Sequence, residues 1–256
     1  MARQAGSAAG EHGAYARGRL HARPGKVDER GPAGLHPLGL GRARDSYLYV
    51  PGGYRPEHPA PLVLMLHGAG GHAHHGLGVL RALADGHGLI LLAPASAGTT
   101  WDVIAGHRYG PDVALIDRAL DWTFEAYAVD PARLAIGGFS DGASYALSLG
   151  ITNGDLFSHV LAFSPGFMAP ASQSGTPAIF ISHGTADAVL SIDACSRRIV
   201  PELRRAGYRV RYQEFIGGHT IPAEIARDAV EWFTTGDSDG EAADPGLIQP
   251  RSNPPW

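Results

Sequence analysis

"LAIGGFSDGASYALSLG", residues 134–150, decides how the rest of the chain is read, because its pattern changes in the middle. Leu134 to Phe139 is a short unbroken apolar run, the mark of a β-strand covered on both faces. From Asp141 onward small residues open a helical pattern. Ser140 stands at the change, with Gly138 two residues before it and Gly142 two after. In a tight strand-to-helix turn the central residue is strained and lifted above the sheet, and a side chain two positions away on either side collides with the neighbouring element. With 35 glycines and 15 serines in 256 residues, a G-x-S-x-G match is expected roughly 0.3 times by chance. The strand-to-helix setting therefore carries the reading, and the pentapeptide alone does not.

Working outward, the same apolar signal recurs at 46–50, 62–66, 89–93, 160–164, 178–182 and 210–215, each time followed by turn residues. Between these runs lie helical patterns at 75–86, 141–152, 194–206 and 221–234, and in the segment from Pro111 that Pro131 ends. Strands alternating with helices predict an α/β fold: a mostly parallel sheet covered on both faces, in one domain over 45–235. Ligands of such sheets bind at the carboxyl ends of the strands. Residues 1–44 are rich in Gly, Ala, Arg and Pro and predict a flexible leader with a possible edge strand, while 236–256 predict a disordered tail. No repeat of solenoid or propeller period occurs.

Composition narrows the function classes. A net charge of −4 argues against a nucleic-acid partner, and the excess of Arg and Lys over acids in residues 1–45 reads as a weakly basic, flexible N-terminus. Cys195 is the only cysteine, so neither an intramolecular disulfide nor a thiolate metal cluster can form within one chain. No apolar run is long enough to span a bilayer, and the first twenty residues lack the apolar centre of a secretory signal. A cytoplasmic location is the default, with secretion left open. His67, His72, His74 and His75 share one loop without an acidic partner or a helical i, i+4 face, so no metal is expected.

A serine hydroxyl needs a base at neutral pH. His219, in "VRYQEFIGGHTIP", lies in a glycine-containing loop after the last predicted strand. The base needs an orienting carboxylate, and Asp187, in "AIFISHGTADAVLS", follows the strand at 178–182; Asp193 is the alternative acid. The order Ser140, Asp187, His219 is the one expected for a nucleophile elbow. The glycine-rich "LVLMLHGAGGHAHH" follows another strand, so the amides of Ala69 and Asp141 can together receive an oxyanion.

Taken together, "LMLHGAGG", "IGGFSDGAS", "HGTADAVLS" and "GGHTIP" resemble the α/β-hydrolase superfamily, and within it the small phospholipase/carboxylesterase-like and polyhydroxybutyrate-depolymerase-like or feruloyl-esterase-like serine esterases. The resemblance implies an eight-stranded sheet, no cofactor, and hydrolysis of a small-molecule or polymeric ester through an acyl-enzyme on Ser140. A peptidase or thioesterase of the same fold, and a catalytically silent binding protein, are the alternatives. Two positions depart from the family pattern: Asp141 is acidic where relatives often carry Gln, Asn or Ala, and Ala143 replaces a second glycine. The stretch from Pro165 to Pro177 is too short for a cap domain. "TTWDVIAGHRYGP", residues 99–111, is the other long loop on this edge, and its Trp101 and Tyr109 are candidates to line the substrate pocket, or else to pack the loop onto the core. The base predicts activity rising through roughly pH 6 to 7.

Overall fold

The protein's structure, a computed structural model, describes residues 13–27, 31–40 and 44–236. Its centre is an eight-stranded sheet of order β1-β2-β4-β3-β5-β6-β7-β8. The strands are β1 (Gly34–Pro37), β2 (Tyr47–Val50), β3 (Ala60–Leu66), β4 (Ile90–Ala93), β5 (Val129–Phe139), β6 (His159–Phe163), β7 (Ala178–Gly184) and β8 (Val210–Phe215). The pairs β1·β2 and β2·β4 are antiparallel, and every other pair is parallel. The helices are α1 (Ala73–Ala84), α2 (Asp102–Gly106), α3 (Pro111–Ala126), α4 (Asp141–Thr152), α5 (Ser196–Arg205) and α6 (Ala223–Thr235).

Alternation within the strands divides the interior into two layers, because successive side chains point to opposite faces. Leu62, Leu64 and Leu66 of β3 pack with α3, α4 and α5, whereas Val63 and Met65 pack with α1 and α6. That is why the parallel strands read as continuous apolar runs instead of alternating ones. Every residue of β3 and β7 is buried.

Most predicted elements stand within a few residues of their expected bounds, and β8 and α4 match them. Strand β5 begins at Val129, well before the expected Leu134, and Pro131 falls where the register with β3 shifts, between the Ala60 and Leu62 pairings, so it interrupts no continuous ladder. The expected edge strand in the leader is β1. The rest of the described leader departs from expectation, since residues 13–27 are fastened to the domain. Asp117 Oδ1 accepts the amides of His21 and Ala22 at 2.8 and 2.9 Å, Asn153 bonds Leu20 N and Gly18 O, and Leu20 is buried. Arg19 and Arg23 both reach Asp155. Counting small and basic residues misses this, because the demand comes from polar groups on distant elements that must find partners when buried. The tail expected over 236–256 lies, from residue 237, outside the described residues.

Between β6 and β7, residues 164–177 contain no helix, so nothing caps the carboxyl end of the sheet from this connection.

Candidate active site

At the end of β5 the backbone of Ser140 takes φ 57° and ψ −120°, a conformation seldom held by a residue with a side chain. Its amide donates to Phe163 O of β6 at 3.0 Å, anchoring the turn. A Cβ on Gly138 would lie 2.3 Å from the carbonyl of Gly142, and one on Gly142 would lie 2.3 Å from Leu66 O and 2.6 Å from His67 O. Both glycines are sterically required.

The loops after β7 and β8 deliver the acid and the base. His219 Nε2 lies 2.9 Å from Ser140 Oγ, and His219 Nδ1 lies 2.6 Å from Asp187 Oδ2. A carboxylate can only accept, so Nδ1 carries the proton and Nε2 is left to accept from the serine hydroxyl. Gly184 lets the two loops meet, because a Cβ there would lie 2.4 Å from Gly218 O. Asp187 is buried, and burial alone would raise its pKa. The amides of Leu190 and Val189, donating to Oδ1 at 2.8 and 2.9 Å, together with His219 outweigh burial and hold it below the usual carboxylate range.

One residue absent from the sequence reading completes this corner. His183, fully buried, holds Nε2 2.8 Å from Leu190 O and 3.3 Å from Asp187 Oδ2, with Nδ1 2.7 Å from Ser196 Oγ. A carbonyl only accepts, so Nε2 bears the proton and Nδ1 receives the Ser196 hydroxyl. Burial pushes the His183 pKa down, so the ring fixes the turn that carries Asp187 in its neutral form. Its signal was present in "SHGTAD", where a histidine ends a buried apolar strand four residues before the acid.

On the other side of Ser140 runs the loop after β3. A Cβ on Gly68 would touch Ser140 Cβ at 3.4 Å, and the N–H groups of Ala69 and Asp141 make no hydrogen bond among the described residues. Two unused donors thus belong to the residues that directly follow Gly68 and Ser140. The long loop after β4 grips this glycine loop. Ser96 N donates to His67 Nε2 at 3.1 Å, Gly70 N to Thr99 O at 2.7 Å, and Trp101 Nε1 to His67 O at 2.9 Å. Asp102 and Asp112 stiffen the loop in turn, each accepting the other's backbone amide at 3.0 and 2.9 Å.

Trp101 and Tyr109 are therefore corrected from pocket residues to packing residues. Trp101 is 0% exposed and stacked on Tyr145, while Tyr109 is buried and donates its hydroxyl to Ala169 O at 2.7 Å. Burial pushes the Tyr109 pKa up to about 12. Once the indole and phenol found backbone acceptors, the core became the better place for both rings. Asp193 is exposed and paired with Arg197, away from His219. Asp141, the acidic departure from the family pattern, points its carboxylate at Thr100 Oγ1, 2.5 Å away. The four histidines expected in one loop are divided, since His74 and His75 lie in the first turn of α1; His67 is buried with both ring nitrogens bonded, His72 stacks on His75, and His74 lies against Tyr47. Among the described residues, no three His, Cys, Asp or Glu side chains converge as a metal site.

The remaining wall is the segment after β6. Along α4, Ser144, Ser148 and Thr152 occur at intervals of four, each donating to the carbonyl one turn back. Each also accepts an amide from the wall: Gly166 N at 2.9 Å, Ala169 N at 2.9 Å and Ala171 N at 3.2 Å. Phe167, Val189 and Ile216, respectively 37%, 68% and 48% exposed, project from the loops after β6, β7 and β8.

This sheet, with a strained serine where β5 enters α4 and its partners at the ends of β7 and β8, defines the α/β-hydrolase fold. Residues 113–235, from α3 to the last turn of α6, match the phospholipase/carboxylesterase family model. Acetylxylan esterase A of Emericella nidulans is 28% identical over 148 residues, 55% of this chain and 47% of that protein, so the chain spans about half the length of this curated relative. Among solved structures, the S-formylglutathione hydrolase of Staphylococcus aureus superimposes with a TM-score of 0.65 at 16% identity, covering 82% of this chain and all (100%) of that one. A ferulic acid esterase from Anaeromyces mucronatus, in complex with ferulic acid, gives a TM-score of 0.57 at 18% identity over 85% of this chain and 97% of its own. Esterase PE8 gives 0.57 at 22% identity over 80% and 98%. Among the described residues, no helix is long and apolar enough to cross a membrane.

Proposed function

We propose that the protein is a serine hydrolase of carboxylic esters. The observation that carries the reading is the unbroken chain of hydrogen bonds from Ser140 Oγ through His219 to Asp187, at 2.9 and 2.6 Å. In this mechanism His219 Nε2 takes the Ser140 proton as Oγ attacks the ester carbonyl. The tetrahedral oxyanion is received by the amides of Ala69 and Asp141, each such donor contributing roughly 3–4 kcal/mol to the transition state. His219 then gives its proton to the departing alcohol, leaving an acyl-enzyme that water, activated by the same imidazole, hydrolyses. Asp187 keeps the imidazole in the productive tautomer and stabilises its cation.

The exposed apolar groups Phe167, Val189 and Ile216 on the surrounding loops support an ester whose acyl or alcohol part carries apolar surface. The match to an acetylxylan esterase supports acylated carbohydrates as the first natural esters to assay. The deciding experiment is labelling with a fluorophosphonate followed by peptide mass spectrometry. The unaltered protein takes one label on Ser140 and Ser140→Ala takes none. Absence of the label, in protein shown to be folded, ends this reading. Ester, thioester and amide versions of one acyl group separate the activities, with the ester turned over fastest.

A further inference from the structure

Thr99 and Thr100 connect the two halves of the oxyanion site. Thr99 O accepts Gly70 N at 2.7 Å, beside Ala69, and the Thr100 hydroxyl donates to Asp141 Oδ2 at 2.5 Å. One dipeptide thus holds the neighbour of the first donor amide and the side chain of the residue that carries the second. The dipeptide is itself held firmly. Arg44 donates to both Gly71 O and Gly98 O, Ala97 N donates to Asp112 at 2.7 Å, and the indole of Trp101 is bonded to His67 O.

Charge makes the Thr100 contact matter beyond its geometry. The Asp141 carboxylate belongs to the same residue as a donor amide, so left loose beside the site it would oppose negative charge growing on the substrate. Among the described residues, Thr100 is its hydrogen-bond partner, and no cation lies within ion-pair distance of it.

We propose that Thr100 is a positioning residue of the oxyanion hole: its hydroxyl holds the Asp141 carboxylate on the 96–101 segment, off the oxyanion position, and keeps the amides of Ala69 and Asp141 at a fixed spacing. This rests on the reading of Ser140 as nucleophile given above. It also explains how an acidic residue is tolerated directly after the serine, since the carboxylate has its own donor. The role belongs to transition-state stabilisation, so its loss appears in kcat and leaves KM nearly unchanged.

The test is steady-state hydrolysis of p-nitrophenyl acetate and the rate of fluorophosphonate labelling, with thermal melting of each variant. Thr100→Val lowers kcat about 10- to 100-fold, less than the roughly 100- to 1000-fold for a deleted oxyanion donor, with the labelling rate falling in parallel. Thr100→Ser keeps most of kcat. The double variant Thr100→Val/Asp141→Asn recovers part of the loss, because the neutral amide no longer opposes the oxyanion; a contact that merely braced the fold would make the double variant worse. Should Thr100→Val not fold, Thr100→Ala in the same comparison reads the same loss. A folded Thr100 variant with kcat within about twofold of the unaltered protein overturns the proposal, as does a double variant slower than Thr100→Val. An unaltered protein that never labels at Ser140 overturns the proposed function and this role together, whereas labelling with Thr100 variants unimpaired overturns this role alone.

Discussion

Adding one methyl group at Gly142 tests the geometry of the elbow directly. In Gly142→Ala the new Cβ would sit 2.3 Å from Leu66 O, whereas an ordinary contact begins near 3.4 Å, so the start of α4 and the end of β3 must separate by about 1 Å. Both obstacles are backbone, and no flexible side chain can yield. A 1 Å shift of the serine stretches the 2.9 Å contact with His219 to about 3.9 Å, beyond hydrogen-bonding range. Misplacement on that scale costs about 100-fold in rate, and overpacking costs about 1–3 kcal/mol, or a melting point lower by several degrees. Gly78→Ala is the control, because it lies within α1 with nothing inside 4 Å of the added methyl. That change stabilises by about 0.5–1 kcal/mol and leaves hydrolysis of p-nitrophenyl acetate untouched. Thermal melts and kcat for both variants complete the measurement. A Gly142→Ala protein with unaltered kcat and melting temperature refutes the elbow reasoning.

Trp101→Phe removes the donor to His67 O from a fully buried site, and the expected result is a loss of about 1–3 kcal/mol in urea denaturation with little change in KM; a large rise in KM at unchanged stability would return Trp101 to the pocket. His183 and His67 are buried imidazoles whose pKa values burial lowers, so below about pH 6.5 the unfolded chain takes up protons that the folded one refuses. Stability therefore falls as pH drops from about 6.5, and His183→Gln removes its share of that slope in melts between pH 5 and 7.5; an unchanged slope contradicts the assignment. Burial alone would raise the pKa of Asp155, but Arg19 and Ser174 hold it at about 2, below its unfolded value near 4. Its contribution is present above about pH 4 and is lost as pH falls through about 2, and at 36% exposure screening reduces it to about 1 kcal/mol. Asp155→Asn accordingly costs about that much at pH 7 and speeds tryptic cleavage after Arg19 and Arg23; unaltered cleavage would show that the arm is held by other contacts.

Ser140, Asp187 and His219 were legible because each stands just past a buried apolar run, among turn residues, where a parallel sheet gathers its loops. The sheet was legible for the same reason: two buried faces leave an uninterrupted apolar signature in β3 and β7. Local pattern carried less about the connection after β4. Helix α2, five residues long, is too short for a period to register. The burial of Trp101 and Tyr109 is decided by carbonyls of His67 and Ala169 that no neighbouring residue announces. The same holds for residues 13–27, whose amides answer Asp117 and Asn153 about a hundred positions away. His183 was overlooked because a histidine ending a strand has two opposite uses, and only its partners Leu190 and Ser196 reveal which applies.

The hydroxyls of Ser144, Ser148 and Thr152 fasten the segment after β6 through main-chain groups alone. At Phe167, Ala169 and Ala171 the amides turn toward α4 while the side chains face solvent. Anchorage and display are thus assigned to different atoms of the same residues. New side chains can be exchanged at these three positions without loosening the wall, so ligand preference is free to drift over a scaffold that stays put.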